Sequence, residues 1–458
     1  MAVWLFALMT VVVIFLAAWF YTRRLAWQFA HVAKQLNRIT SNRQADAAGD
    51  KKILRQIYKL VNTCLLTGKA AEAYRAFDLL KLALGHGLGR PGEAVQLTTV
   101  FYLALRSNQL DAAGHCIDAF RPLLKNMTGQ AIPAAIEQLG LIADISLKQR
   151  HNFLAARAVD VISTGMAITR EDALQTAGMR ALRLTGLTAL RRNDSGLIRE
   201  MLAKIAGLLA MEPGDALQQA QAAEVVTAWL HRIVKAGNDS MYEVLTEYIS
   251  QLAGEQLLSA AAVEVILKEC VHLAGMESLN PYSRLAGAIS LFGLELALQM
   301  KTPVIWRQAV DGSGHAARLA VAQRNLTESF GVIYPLFEAG RRLLSAELNA
   351  GHYNDTFRQE ALYTLIRECL HLVEFVTRQN FTTTAADVID EIYRHWLKQQ
   401  NNIGQEKSIK RFCQLLFIYG ARIKRRQKRF IAGDSSFNTG NAITSANQEH
   451  LKKLGFLL

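Results

Sequence analysis

The sequence predicts an all-α protein in which a single transmembrane helix precedes an α-solenoid of helix pairs. Three observations lead to this prediction. Residues 1–21 carry no charge, residues 51–400 show no sustained alternation of apolar and polar positions, and a turn motif recurs about every 43 residues. With 51% hydrophobic and 20% charged residues in a chain of 458, the composition excludes a disordered chain and a disulfide-stapled mini-domain.

Residues 1–21 predict the membrane anchor. The uncharged stretch 2–21 would form a helix of about 30 Å, which matches the hydrocarbon core of a bilayer. No basic residue precedes Trp4, so an uncleaved anchor is favoured over a signal peptide. The cations that follow, beginning with Arg23 and Arg24, predict a single-pass protein of the inner (cytoplasmic) membrane, with its N-terminus outside and its C-terminal domain in the cytoplasm.

Residues 22–50 predict a juxtamembrane amphipathic helix and a polar hinge. Apolar residues recur at spacings of four and three, namely Leu25, Phe29, Val32, Leu36 and Ile39. This stripe is expected to pack on the first helices of the next domain, and a homodimer seam is the alternative. The polar composition of residues 41–50 predicts the hinge.

Residues 51–400 predict a cytoplasmic helical-repeat domain. The turn motif begins at Gly68, Asn108, Asn152, Asn193, Asn238, Asn280, Asn325 and Asn380. Asn and Gly accept the left-handed conformation that ends a helix, and Asn, Asp or Ser can cap the next helix, so the motif suits a turn between two helices. A period of about 43 residues corresponds to one helix pair with its turns. The longer last interval predicts an insertion, for which residues 348–355 are the candidate.

Two of these units resemble a known repeat. Residues 67–77 (Thr-Gly-Lys-Ala-Ala-Glu-Ala-Tyr-Arg-Ala-Phe) and 108–113 (Asn-Gln-Leu-Asp-Ala-Ala) are similar to the second helix of a tetratricopeptide repeat. The period here is longer than the repeat of about 34 residues in that superfamily, and HEAT-like stacking stays open. The resemblance implies antiparallel helix pairs whose concave face binds segments of partner proteins. It assigns no individual binding residue.

No motif predicts a catalytic, cofactor-binding or metal site, so the protein is not expected to be an enzyme. Glu269-Cys270-Val271-His272 and Glu368-Cys369-Leu370-His371 contain ligand types, but residues two apart on a helix face opposite sides, which favours packing positions. Gly-rich segments at 85–92 and 311–315 are expected to be interhelical loops, because no strand precedes them. The cysteines are expected to be reduced core thiols: Cys64, Cys116, Cys270, Cys369 and Cys413.

The positive charge is concentrated at two places in the sequence. Residues 22–60 carry a net charge of +7 and residues 401–430 a net charge of +8, which leaves −2 for residues 61–400. Residues 401–430 predict a basic amphipathic helix, and residues 431–458 a flexible tail with a short apolar end. Eight cations are the predicted contacts with an anionic surface: Arg23, Arg24, Arg422, Lys424, Arg425, Arg426, Lys428 and Arg429.

These features predict a membrane-anchored helical-repeat scaffold or adaptor. It would recruit protein partners through the solenoid surface to a membrane-associated assembly, such as envelope, secretion or polysaccharide-export machinery, and its basic ends would contact anionic lipid headgroups. One alternative is a membrane-tethered regulator that binds nucleic acid through the basic C-terminal helix, although nucleic acid is the less favoured partner. The other alternative is an enzyme with an unrecognised site between helices.

Overall fold

The computed structural model describes residues 2–42, 47–89, 92–127, 131–168, 171–280, 285–323 and 326–344, together with eleven positions between 357 and 375. All regular secondary structure within these residues is α-helical. Two compact units divide the chain, Met1–Glu212 and Pro213–Leu458. The basic segment at 401–430, the tail at 431–458 and the candidate insertion at 348–355 lie outside the described residues.

Unit 1 is a two-layer stack of antiparallel helix pairs. One layer contains α2, α4, α7 and α9, and the other contains α3, α5 with α6, α8 and α10, because each helix packs against its partner and against its counterpart in the next pair. The bounds are α1 Ala2–Asn42, α2 Ala47–Leu66, α3 Ala70–Gly85, α4 Glu93–Arg106, α5 Leu110–Asp118, α6 Phe120–Asn126, α7 Ala131–Lys148, α8 Asn152–Ile168, α9 Asp172–Arg191 and α10 Ser195–Met211.

Unit 2 repeats the same arrangement. Helices α11, α13 and α15 form one layer, and α12, α14 and α16 form the other. Their bounds are α11 Ala216–Ala236, α12 Asp239–Gly254, α13 Ala260–Ser278, α14 Leu285–Met300, α15 Pro303–Gln323 and α16 Leu326–Leu344. Trp306 is fully buried in this unit and its Nε1 donates a hydrogen bond to the carbonyl oxygen of Ala361 at 2.9 Å.

The turn motif lies between the two helices of successive pairs, which confirms the predicted helical repeat. Gly68, Asn108 and Asn193 have positive φ angles of 71°, 55° and 54° and each ends a first helix. Asn238 caps α12, because its Oδ1 accepts a hydrogen bond from the backbone N–H of Met241 at 3.2 Å. The sequence motif therefore supplies both functions expected of it, the left-handed helix end and the N-cap.

The predicted transmembrane anchor at residues 1–21 is wrong. Within the described part of the chain, no helix combines the length and the apolar character needed to cross a bilayer. The apolar stretch is instead the first half of α1, one helix of 41 residues that continues without a break through Arg23. The second half of α1 packs against α2 and α3 and buries Leu25, Val32 and Leu36 of the amphipathic stripe.

The Gly-rich segment at 311–315 is also not a loop, because it lies inside α15. A Cβ atom added to Gly312 would lie 2.3 Å from Cγ2 of Val271 in α13. The glycine is therefore needed because α13 and α15 approach closely at this point. In the sequence alone, a glycine at a helix contact looks the same as a glycine in a loop. The other Gly-rich segment does form the connection between α3 and α4 in its described residues, and Gly87 has a φ angle of 81°.

Candidate partner-binding groove

The predicted surface-contact residues are only partly described. Arg23 and Arg24 are exposed on α1, and the guanidinium carbon of Arg23 lies 4.4 Å from the ring centroid of Trp19. The remaining predicted contacts lie outside the described residues: Arg422, Lys424, Arg425, Arg426, Lys428 and Arg429. The role of these eight cations stays a prediction.

A groove between α7 and α9 is the candidate functional site of unit 1. Its volume is about 480 Å³, within the range of ligand-binding clefts. Each helix contributes a stripe with the spacing i, i+4, i+7, i+11. The stripe of α7 is Glu137, Leu141, Asp144 and Lys148, and the stripe of α9 is Arg180, Leu184, Leu187 and Arg191. Corresponding positions are one repeat of about 43 residues apart, so the repeat itself builds the groove.

Small residues set the depth of the groove. A Cβ atom added to Gly140 would lie 3.1 Å from the Cβ of Ala181, so α7 and α9 approach closely at this point. Ala177 lies next to this contact on α9 and lines the groove as well. The larger side chains on either side stay in solvent, with Leu141 42% and Leu184 56% exposed. The groove therefore presents apolar surface that the fold does not cover.

The charges around the groove are only partly neutralised. Asp144 is held by Lys148, whose Nζ lies 2.6 Å from Oδ2, and by Thr188, whose hydroxyl donates to Oδ1 at 2.7 Å. Glu137, Arg180 and Arg191 have no ion-pair partner in the part of the chain that the structure describes. Two arginines and one glutamate are therefore available to a ligand.

The same exposed spacing occurs on α4, which packs beside α7. Its stripe consists of Val95, Thr99, Tyr102 and Arg106, all of them exposed. On α2, which packs beside α4, the exposed cations Arg55 and Lys59 occupy the first two positions of this spacing. We call the exposed stripes of α2, α4, α7 and α9 the A face.

Two aspartates on the opposite layer of unit 1, Asp118 and Asp160, form ion pairs within the fold. Asp118 in α5 pairs with Arg157 in α8 and lies 3.8 Å from Lys81 in α3. Asp160 in α8 pairs with Arg121 in α6 and with Lys204 in α10. Although burial by itself raises the pKa of Asp160, the hydrogen bonds from Lys204 and Arg121 outweigh it and lower that pKa. These ion pairs connect consecutive helix pairs.

The two Glu-Cys-x-His motifs occupy packing positions in unit 2. Oε1 of Glu269 lies 2.6 Å from Nδ1 of His231, and Glu368 pairs with Arg318. Cys270 and Cys369 are buried, and burial raises the pKa of both thiols. Among the residues with described side chains, no cluster of three His, Cys, Asp or Glu side chains could hold a metal ion.

The cysteines of unit 1 lie in the core as well. Cys64 and Cys116 are free and buried, and the pKa of the Cys64 thiol is raised to about 11, mainly by burial. These four free thiols agree with the prediction of reduced core cysteines, whereas Cys413 lies outside the described residues.

The groove was not identified from the sequence, although a signal for it is present. Leu141 and Leu184 are each flanked by charged residues at matching positions one repeat apart. The apolar periodicity of a helix predicts which residues are buried, but Leu141 and Leu184 lie on the opposite side of their helices. Only an alignment of the repeats to each other would have brought the two stripes together.

No family model matches this chain, and no curated protein is similar to it in sequence. Two solved structures align with it over much of its length. One is a circular tandem repeat protein with novel repeat topology and enhanced subunit contact surfaces, with 13% identity, 90% of this chain and 99% of the other covered, and a TM-score of 0.32. The other comes from the computational design of self-assembling cyclic protein homooligomers, with 14% identity, 73% and 95% covered, and a TM-score of 0.15. The helical-repeat assignment rests on the helix packing described above.

Proposed function

We propose that this helical-repeat protein is a scaffold that binds a segment of a partner protein in the groove between α7 and α9. The observation that supports the proposal is the combination of exposed Leu141 and Leu184 with the charges of Glu137, Arg180 and Arg191, for which the described residues provide no ion-pair partner. An apolar centre surrounded by polar residues is the usual organisation of a protein–protein contact.

The opposite layer supplies the comparison. Its residues Asp118 and Asp160 are engaged in ion pairs between helix pairs, so these two carboxylates are not available to a partner. The groove differs because Arg180 and Arg191 flank exposed leucines and its floor is already shaped by Gly140 and Ala181. A preformed groove lowers the entropic cost of binding.

Site-specific photocrosslinking in the native cell tests the proposal. A photoreactive phenylalanine analogue replaces Leu184 in the groove or, as the control, Phe153 on α8, which is 51% exposed. We expect one discrete crosslinked protein from position 184 and none from position 153. The purified crosslinked protein should then bind the full chain, and Leu184→Asp should abolish that binding. Equal crosslinking at both positions, or none at position 184, would contradict the proposal.

The finer function, recruitment of partners to a membrane-associated assembly at the inner face of the cytoplasmic membrane, is part of the proposal. It depends on the predicted contact of basic residues with anionic lipid headgroups, and Arg23 and Arg24 are exposed as such a contact requires. Co-sedimentation with vesicles that contain phosphatidylglycerol tests this part. Arg23→Glu with Arg24→Glu should weaken sedimentation, and no change would exclude these two residues from the contact.

The two alternative functions from the sequence stay hypotheses. Nucleic-acid binding would involve residues 401–430, which lie outside the described residues. Catalysis would require an unrecognised site between helices, and the groove holds no pair of groups that would identify a reaction.

A further inference from the structure

Exposed cations dominate the A face of unit 1. Arg55, Lys59, Arg106, Arg180 and Arg191 have no ion-pair partner within the described residues. The acidic residues of the stripes are fewer, and Asp144 is already paired with Lys148 and accepts a hydrogen bond from Thr188. The A face therefore has an excess of positive charge, and three of its cations, Arg106, Arg180 and Arg191, lie within residues 61–400, which as a whole carry a net charge of −2.

The arginines of α9 have a specific arrangement. Arg180 and Arg191 are eleven residues apart on one side of the helix, which separates them by about 16 Å along the axis. Leu184 and Leu187 lie between them at i+4 and i+7. The order along the groove is thus cation, apolar, apolar, cation.

A helix that lies along this groove would be complementary if it carried the matching order. Acidic residues at its positions i and i+11 would reach the two arginines, and apolar residues at i+4 and i+7 would cover the two leucines. The pattern reads the same in both directions, so a parallel and an antiparallel helix satisfy it equally.

We infer that the ligand of the α7–α9 groove is an acidic amphipathic helix of a partner protein, bound by Arg180 and Arg191 at its two ends and by Leu141 and Leu184 at its centre. The inference rests on the proposed function and specifies the chemistry of the partner. Charge complementarity of this kind steers association and selects among partners.

A nucleic acid is the other polyanion that such a surface could attract. The exposed leucines favour the helix, because a phosphate backbone gains nothing from apolar side chains between the cations.

A designed peptide tests the inference on the full chain. The probe is a fluorescent helical peptide with Glu, Leu, Leu and Glu at positions i, i+4, i+7 and i+11 on an Ala and Gln background. Its matched control has Lys in place of both Glu residues. Binding is measured by fluorescence anisotropy at about 0.15 M salt, where only charges in close contact still interact strongly.

Two double variants distinguish binding in the groove from nonspecific electrostatic attraction to the protein. Arg180→Glu with Arg191→Glu should weaken binding of the acidic peptide at least about tenfold and should create binding of the Lys peptide. Arg75→Glu with Arg199→Glu changes two exposed arginines on the opposite layer and should leave both peptides unaffected. Leu184→Ser should weaken binding of the acidic peptide, but the variant should still prefer the acidic peptide over the Lys peptide.

Three results would overturn the inference. These are equal binding of both peptides to the unaltered chain, equal loss in both double variants, or single-stranded DNA that binds through Arg180 and Arg191 but is insensitive to Leu184→Ser. The inference can fail while the proposed function stands. If position 184 crosslinks to a partner segment that lacks acidic residues, the scaffold function stands and the acidic ligand does not.

Discussion

Asp118 accepts two hydrogen bonds from Arg157, one from Nε at 2.8 Å and one from Nη2 at 2.5 Å. The two residues are 39 positions apart and lie in α5 and α8 of consecutive helix pairs. A bidentate contact between guanidinium and carboxylate fixes orientation as well as distance. Because Lys81 of α3 lies near the same carboxylate, one aspartate connects three helices of unit 1.

Asp118→Ala should therefore destabilise unit 1. The change leaves Arg157 and Lys81 without their shared partner at a site where the Asp118 side chain is only 20% exposed, and we expect a loss of about 1–3 kcal/mol in the free energy of unfolding. Urea denaturation followed by circular dichroism measures it. Asp78→Ala is the matched control, because Asp78 also lies near Lys81 but is 71% exposed, and it should cost less than about 0.5 kcal/mol.

The ion pairs of Asp160 should make the stability of the fold depend on pH in the acidic range. Its pKa is lowered in the folded protein, because the hydrogen bonds from Lys204 and Arg121 outweigh the effect of burial. The unfolded state therefore binds the proton more readily, so the stabilisation is complete above about pH 4 and is lost as the pH falls towards the lowered pKa. Asp160→Asn should be less stable than the unaltered protein at pH 7, and the difference should shrink below about pH 4.

A difference that stays constant from pH 7 to about pH 3 would contradict the Asp160 prediction. Asp172→Asn is the control, because Asp172 is exposed in the first turn of α9 and has no ion-pair partner within the described residues. Its effect on the urea midpoint should be small at both pH values.

The repeat architecture could be predicted from the sequence, because its signal is local. Gly68, Asn108 and Asn193 mark turns through their own conformational preference, and that preference does not depend on distant residues. The spacing of these turns then gives the length of a helix pair. Cys64 and Cys116 were likewise correctly assigned to the core from their apolar neighbours.

The groove and the ion pairs could not be predicted, because they depend on register between helices. Asp118 meets Arg157 across 39 residues and Thr188 meets Asp144 across 44, and turn spacing alone does not fix contacts to within one helical position. The prediction of a membrane-spanning helix at residues 1–21 was wrong on a different ground. No helix in the described residues has the length and apolar character to cross a bilayer, and residues 2–21 form the first half of α1, which extends to Asn42.

His115 predicts a second dependence on pH, nearer to neutrality. Its imidazole stacks beside Phe77 and its Nδ1 lies 3.0 Å from Nζ of Lys81, and burial together with that ammonium group lowers its pKa below 6.5. Asp118 and Asp78 act in the opposite direction, and Arg157 adds to the lowering. Because protonation then favours the unfolded state, stability should fall as the pH drops below about 6.5.

Comparison with His115→Gln isolates this contribution. The difference in free energy of unfolding between the two proteins should change in favour of the variant as the pH falls from about 7.5 to about 5.5, because the glutamine side chain of the variant does not titrate. Proton NMR of the imidazole should place the titration midpoint of His115 in the folded protein below 6.5. A midpoint above that value would contradict the assignment.

Gly287 and Gly331 predict opposite effects of the same substitution. A Cβ atom on Gly287 would lie 2.1 Å from the carbonyl oxygen of Gly331, so Gly287→Ala requires α14 and α16 to move apart. We expect a loss of about 1–3 kcal/mol in the free energy of unfolding, as is usual for overpacking. A Cβ atom on Gly331 meets nothing within 4 Å, so Gly331→Ala should instead stabilise the helix by up to about 1 kcal/mol. Urea denaturation compares the free energies of unfolding of Gly287→Ala and Gly331→Ala directly, and equal effects would mean that the helices do not approach at Gly287. The two glycines are 44 residues apart, as are Thr188 and Asp144 in unit 1. This pair therefore also tests whether the same inter-repeat register holds in unit 2.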